Sequence, residues 1–498
     1  MGKRKPKPTP TPVPARSYAG ASFSRLTSDW IGAGSTSADS EIYTASRALR
    51  NRSRDLIRNN DYMKGAVNTI VDNVVGDSGI GFQSQVKNRK GELERKVNTQ
   101  IEAVWDEWAE SGCDVREKLA FPEMEALIFK SLIESGEVLI RIIGQPFGDS
   151  DIPFSLELIE ADQLCDDYSI QNLAGNMVKM GVELDEWNRA VAYHLYQNHP
   201  GDYQFQSSFK HGQLLRVPAN QIFHLYLFDR VGQTRGVPWL ASSLLRSKHL
   251  SGFEEAELIK ARGQASFMGF LQTPEPNVMG QEDETGQIVS DFSPGEIFQL
   301  QPGQQFQGFQ PTSPGQQFDP FVKMMLRGIA AGLNISYESL SRNFSDVNYS
   351  SARQAILAER EAYKKLQGWY IRSFRKPLYK IWLQMAVLSG ELKLKDFELS
   401  KEYYCCPKFV PRRWDWVDPN KDISAKVTAI NEGVMSLTQV IAETGRDIEE
   451  VLAEKAQEKI LKENLGLTEK PEPIIQTAKE WAKTKQMRRV SEVIFREN

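Results

Sequence analysis

The stretch that decides the reading of this chain runs from Phe318 to Gly390: FDPFVKMMLRGIAAGLNISYESLSRNFSDVNYSSARQAILAEREAYKKLQGWYIRSFRKPLYKIWLQMAVLSG. Val322, Met325, Leu326, Ile329 and Leu333 recur at three- and four-residue spacing, which predicts a helix with one apolar face. Gly332 and Asn334 weaken its last turn, and residues 337–350 read as a loop of Ser, Asn and Asp. The chain restarts at Ser350-Ser351-Ala352-Arg353, where a serine is placed to cap the next helix and Gln354 to support the cap. From 351 to 390 only Pro377 interrupts helical sequence. At about 1.5 Å per residue that helix reaches roughly 55–60 Å, more than a compact domain requires. Such an element suits a part that spans an assembly better than one that closes an active site.

Outward from this element the chain divides by composition. Residues 1–39 form a Pro-rich basic tail (GKRKPKPTPTPVPAR from Gly2) with almost nothing to bury, read as disordered. Residues 40–238 read as one α+β domain: helical periodicity over 40–76, 93–110 and 121–135, then strands at 137–143, 155–159, 178–184, 190–196 and 222–228. A helix occupies 239–263. Residues 264–317 then accumulate Gly, Pro and Gln around short β segments at 266–271 and 296–300, a β-rich insertion between two helices. A second such helix covers 318–336. Beyond the long helix, 391–421 contain a strand-like patch at 403–409 and an aromatic turn, and 422–498 are helical. The fold class is α+β, mainly helical.

Composition sets outer limits on function. The 498 residues carry a formal charge of −4, so no basic surface announces tight nucleic-acid binding, and any such contact is local or weak. Four cysteines (Cys113, Cys165, Cys405, Cys406) form no CxxC pair and suit a reducing cytoplasm. No run of eighteen apolar residues indicates a membrane span, and Pro6 rules out a myristoylation signal.

Catalytic signatures are missing. The five histidines are scattered without HExxH, and there is no GxSxG elbow, phosphate loop or GxGxxG. The glycine-rich turn 76–81 lacks a following Gly-Lys-Ser/Thr. One acidic cluster, Glu157, Glu160, Asp162, Asp166 and Asp167, offers carboxylates to a divalent cation or forms a solvated edge. Leu437 to Glu450 has the cadence of a helix-turn-helix, but Glu449, Glu450, Glu454 and Glu458 would repel phosphates, so a helical hairpin is expected. On the long helix Lys365, Arg372, Lys376 and Lys380 share a face opposite Leu366, Tyr370, Phe374, Leu378 and Met385. No catalytic residue, metal or cofactor is expected.

With these residues in view the chain resembles the lambda-like family of tailed-bacteriophage portal proteins, the head-tail connectors. The match is carried by SDVNYSSAR (345–353) after LRGIAAGL (326–333), by FDRVGQTRGVP (228–238) and by IEADQL (159–164), and extends over about 40–420. The resemblance implies a portal-type architecture: 40–238 the wing, 239–263 and 318–336 the stem helices, 264–317 the clip. It likewise makes 337–350 the tunnel loop, 391–421 a return to the wing, and 422–498 the helical crown. It implies a homo-oligomeric ring, commonly of twelve subunits, at one capsid vertex of the virion after assembly in the host cytoplasm. Double-stranded DNA enters and leaves through such a ring, and a separate terminase large subunit supplies the ATPase. Head-tail adaptor, capsid and scaffold proteins are the other implied partners, and no membrane is. Candidate channel residues are Lys323, Arg327, Arg342, Asn343, Ser345, Asp346 and Asn348; candidate clip contacts are Phe267, Phe270, Phe298, Phe306 and Phe309. The alternatives are an elongated non-portal virion or tail structural protein, and a metal-dependent hydrolase using Glu160–Asp167.

Overall fold

Two side chains punctuate the first helices. Ser37 accepts the Ser40 amide at 3.2 Å to start α1 (Ala38–Asn59), and Asn60, in extended conformation, ends it while capping α2 (Asp61–Val74) through the Met63 amide. The single helical run expected over 40–76 is therefore two helices with a corner at Asn60. The computed structural model describes residues 34–202, 214–266, 317–345, 348–414, 419–443 and 448–465, the short strands at 269–272, 281–282, 288–289 and 305–308, and a few isolated positions. The Pro-rich tail lies largely outside them.

Gly76 and Gly79, both at positive φ, turn the chain into β1 (Gly81–Ser84). Helix α3 (Arg95–Glu107) passes into a π turn at Trp108–Gly112, and α4 (Phe121–Ser135) has Pro122 in its first turn and left-handed Gly136 after its last. A strand region follows: β2 (Glu137–Ile143), β3 (Ser155–Ile159), β4 (Ile170–Leu173), β5 (Asn176–Lys179), β6 (Val182–Leu184), β7 (Ala190–Tyr196), β8 (Leu214–Pro218) and β9 (Ile222–Tyr226). They form two antiparallel sheets, β3-β2-β9 and β4-β5-β6-β7-β8. The strand expected over 178–184 is in fact a hairpin, because Met180 and Gly181 both adopt positive φ and fold β5 back onto β6. Leu139, Ile159 and Ile222 of the first sheet and Val182, Leu184, Tyr193, Leu195 and Val217 of the second share one apolar core.

Glu183 of β6 anchors the five-stranded sheet. It is 2% exposed, accepts both prongs of the Arg216 fork (2.8 and 3.0 Å) and the Asn176 amide (2.7 Å), and lies 3.3 Å from His194. The Arg216 hydrogen bonds, outweighing burial, hold its carboxyl down to about 2 from an ordinary 4.5. A depressed carboxylate contributes stability that is complete above its unfolded value and lost as pH falls through the folded one. We therefore expect Glu183→Gln to flatten the loss of stability between pH 4.5 and 2. Equal acid slopes for the two proteins in thermal melts would refute this.

Helix α5 (Leu244–Ser266) starts later than expected because residues 239–243 form tight turns, with the Ala241 and Ser243 amides bonding the Pro238 and Leu240 carbonyls. Two ribbons stand between α5 and α6 (Phe318–Leu333): β10 (Gly269–Gln272) pairs with β13 (Gln305–Gly308), and β11 (Gln281–Glu282) with β12 (Ile288–Val289). The segment 296–300 lies outside the described residues. Then come α7 (Tyr337–Ser341), α8 (Tyr349–Tyr370), a π turn at Ile371–Arg375, and α9 (Lys376–Leu388). After α10 (Lys401–Tyr404), β14 (Pro407–Val410) returns to pair with β1, so only the second half of the 403–409 patch is strand.

Residues 412–498 form a separate compact unit. It contains α11 (Pro419–Asn431), α12 (Leu437–Glu443) and α13 (Ile448–Asn464), and Arg446 pairs with Glu454. No described helix is long and apolar enough to cross a membrane.

Candidate functional site

The helix pair α5–α6 is built on small residues. A Cβ on Gly332 would lie 2.3 Å from the Ser243 hydroxyl, and one on Gly328 would overlap the Arg246 guanidinium. Phe253 packs on Phe318 and Phe321 at 5.6 and 4.6 Å, so the helices run antiparallel from the 243/332 end to the 253/318 end. Of the predicted face, Leu326, Ile329 and Leu333 are buried and Val322 and Met325 half-buried, and Ala330 is buried beside them. Leu245, Leu258, Ile259 and Met324 are exposed apolar residues of the same pair. Lys323 pairs with Asp319 at 2.8 Å, and the exposed Arg327 lies 5.4 Å from the Tyr337 ring.

Helix α6 ends in a Schellman-type cap: Asn334 is left-handed, and the Ile335 and Asn334 amides bond the Ala330 and Ala331 carbonyls. Ser336 then caps α7, so the first five residues of the expected loop are a helical turn. Its anchor is Glu359 on α8, which is 8% exposed and accepts hydrogen bonds from the Ser336, Ser339 and Tyr363 hydroxyls (3.0, 2.8 and 2.5 Å). Burial and that hydrogen bond push the Tyr363 phenol well above its ordinary range. Beyond α7, Arg342 is left-handed and exposed, and the Asn343 side-chain Oδ1 accepts from the Ser345 amide and hydroxyl at 3.0 and 2.6 Å. Of the expected loop, Arg342–Ser345 is non-helical, and Asn348 marks the start of the next helix. Asn348 caps α8 through the Ser351 amide at 2.9 Å, displacing the serine cap expected at 350–351. Asp346 lies outside the described residues.

The long helix runs from Tyr349 to Leu388 with one change of pitch. Pro377 has no amide for the carbonyl four residues back, and the π turn at Ile371–Arg375 absorbs that defect. Lys365, Arg372, Lys376 and Lys380 are exposed, while Tyr370, Phe374 and Leu378 are buried. The π turn also aims Arg375 inward among Phe121, Phe409 and Trp105, at 4.7, 5.0 and 5.1 Å, and 3.5 Å from Glu125. Burial pushes the Glu125 carboxyl up and the Arg375 guanidinium down.

The acidic cluster divides: Asp166 is buried and Asp162 half-buried, whereas Glu160 and Asp167 are exposed. Asp166 is buried between Arg50 and Arg235, Asp162 meets Arg54 and Arg50, Glu157 meets Arg141 at 3.5 Å, and Asp167 meets Arg47 at 3.0 Å. Glu160 lies 3.3 Å from Arg54 and 3.5 Å from His199. Arg50, Arg54 and Arg235 offset part of this charge, while Glu160, Asp162 and His199 bring one ligand atom each within 4.8 Å of one another. At the centre Arg235 binds both oxygens of the fully buried Glu137 (2.6–3.0 Å), Asp166 at 2.8 Å and the Met180 and Ala161 carbonyls. His224 and the Gly236 amide complete the Glu137 shell at 2.9 and 2.8 Å. Burial opposes the Glu137 charge, but Arg235 and His224 hold its carboxyl well below the usual range.

Comparison with known proteins settles the family. The model for phage portal proteins of the lambda family matches residues 23–367. The chain belongs to that family. It is 30% identical over 445 residues to a probable portal protein of Halomonas phage phiHAP-1, covering 88% of this chain and 85% of the relative. It is 24% identical to portal protein B of Escherichia phage lambda, covering 84% of each. Among solved structures, the neck of a native gene transfer agent particle computed with C12 symmetry contains a similar chain. That match has 14% identity and a TM-score of 0.43, over 81% of this chain and 98% of the other. Membership of the family gives the chain a structural portal role, and its elements make the fold mixed α/β and mainly helical, as expected.

Within the family match, the 233–238 part of FDRVGQTRGVP is a folding element. Asp39 accepts the Thr234 amide and hydroxyl at 2.7 and 2.8 Å, Gln233 ties the preceding turn, and Arg235 supplies the network above. A Cβ on Gly236 would fall 2.2 Å from the Gly136 carbonyl, so only glycine fits. Of the five candidate phenylalanines, Phe270 and Phe306 lie on the paired strands β10 and β13; Phe267, Phe298 and Phe309 lie outside the described residues. The sequence reading missed Glu359, although an acid in register with Tyr363 and Tyr370 on a buried helical face was a visible signal.

Proposed function

We propose that the chain assembles as a ring of twelve copies that forms the DNA entry and exit channel at one capsid vertex. The observation that carries this reading is the α5–α6 pair, a rigid antiparallel unit that leaves Leu245, Leu258, Ile259 and Met324 exposed, apolar surface that a monomer has no use for. Neighbouring copies cover these faces head to tail, a contact that closes into a ring. The pair then acts as the stem. Because α5 and α6 are antiparallel, the chain between them makes an excursion from one end, which suits a clip presenting Phe267, Phe270, Phe298, Phe306 and Phe309 to terminase and later to head-tail adaptors. Residues 342–348 act as the tunnel loop, with Arg342, Asn343, Ser345, Asp346 and Asn348 toward passing DNA and Lys323 and Arg327 on the stem behind them. A chain of net charge −4 lets phosphates slide where a basic lining would trap them by counterion release. Capsid and scaffold proteins surround the ring, which belongs to the virion and is assembled in the host cytoplasm.

Light scattering with negative-stain microscopy tests the ring. Twelve chains of 56.4 kDa give a particle of about 680 kDa with a central hole. A 56.4 kDa species at every concentration would sink the reading and favour a non-ring virion component.

A further inference from the structure

Phe228 and Val231 are 67% and 102% exposed, yet the loop that displays them is rigidly held. The buried Gln233 side chain accepts the Asp229 and Arg230 amides at 2.8 and 3.2 Å and donates to the Arg235 carbonyl at 2.8 Å. The Phe228 ring rests 4.7 Å from that of Tyr226. Arg230 pins the tip to Glu41 at 2.7 Å and to the Thr36 carbonyl at 3.0 Å. A preorganised apolar tip loses little entropy on docking. Elsewhere on the chain, α1 and α5 enclose a cleft of about 630 Å³ walled by Leu49, Leu56, Leu244 and Leu245, with Arg52, Lys248 and Asp55 at its rim.

We infer that the 228–231 loop of one copy seats in the α1–α5 cleft of the next. The inference rests on the ring proposed above. Apolar tip meets apolar wall, and the exposed Asp229 carboxylate meets a rim whose Arg52 and Lys248 outnumber Asp55, itself engaged by Asn59 at 2.7 Å. The loop does not serve its own cleft: Arg230 ties it to the start of α1, whereas the cleft opens at Leu49 and beyond, about 12 Å or more along the helix axis. Tip and cleft are different patches of one chain, so their contact is heterologous and propagates around a ring.

Paired cysteines test the contact. In a Cys406→Ser background, which removes the exposed native thiol, Val231→Cys with Leu245→Cys is oxidised after assembly and run without reductant. The expected result is a ladder of covalent multimers that neither single variant gives. Intact rings without a ladder, or a cross-link confined to single chains, would overturn the inference and leave the ring standing. A wild-type chain that never leaves the monomer would overturn the ring itself and the inference with it. Independently, Asp229→Lys should raise the concentration for half-assembly at least tenfold (about 1.4 kcal/mol), and Arg52→Glu with Lys248→Glu should restore it. Unchanged assembly of Asp229→Lys overturns the pairing.

Discussion

Replacing Arg235 by Met is expected to remove about 3–5 kcal/mol of stability, because it strands the fully buried Glu137 carboxylate and half of the Asp166 pairing. Arg50, whose nearest atom lies 3.8 Å from Glu137, is too distant to replace the three short contacts that Arg235 makes with that carboxylate. The network joins α1, β2, β6's hairpin and the 233–236 segment, so its loss loosens all of them together. For a domain of this size the midpoint of thermal unfolding should fall by on the order of 10 °C. Arg235→Lys keeps the charge but not the planar fork, and should recover only part of that loss. Calorimetry that finds Arg235→Met within 2 °C of the parent (about 1 kcal/mol or less) would show that the network contributes little beyond filling space.

This network also shows where sequence reading stops. Periodicity exposed the long helix and the face of α6, because Leu326, Ile329 and Leu333 keep a clean helical repeat. It located α4 to the residue, since Pro122 and Gly136 bracket it. It could not place Arg50, Glu137, Asp166 and Arg235 inside, because a rule that sends charges outward has no term for a partner more than sixty residues away. The solvated edge expected around Glu160–Asp167 holds for Glu160 and Asp167, which are exposed, and not for the buried Asp166. The hairpin at Met180-Gly181 was missed because a lone Gly181 between Val178 and Val182 also fits a continuous strand, and α7 because its serines read as loop although Ser336 caps a turn. In the candidate channel segment the anchor was only half legible: the register of Glu359 with Tyr363 marks a buried acid, but its partners Ser336 and Ser339 lie in another segment, which spacing alone does not reveal.

Deleting Arg342 to Asn348 is expected to leave rings intact while abolishing productive DNA packaging or retention, a loss of at least a hundredfold in infectious particles, equivalent to roughly 2.7 kcal/mol if one equilibrium governs it. The physical basis is the division of labour at this junction. Apart from the Asn348 cap, what holds the junction among the described residues lies outside the deleted stretch: the Schellman cap at Asn334, the Ser336 and Ser339 hydroxyls on Glu359, and the buried Leu340 of α7. Within the stretch, Asn343 and Ser345 bond only each other and their neighbours among the described residues, Arg342 and Phe344 are exposed, and Asn348 serves only the first turn of α8. The deletion therefore costs a helix cap, about 1 kcal/mol, and little else in the fold. A short Gly-Ser-Asn bridge ending on the retained Tyr349 restores that cap and separates the two effects. Rings of normal mass with failed packaging would assign the loop to DNA. Failure to assemble even with the cap restored would make it a structural strut, and normal packaging would remove it from the channel's working parts.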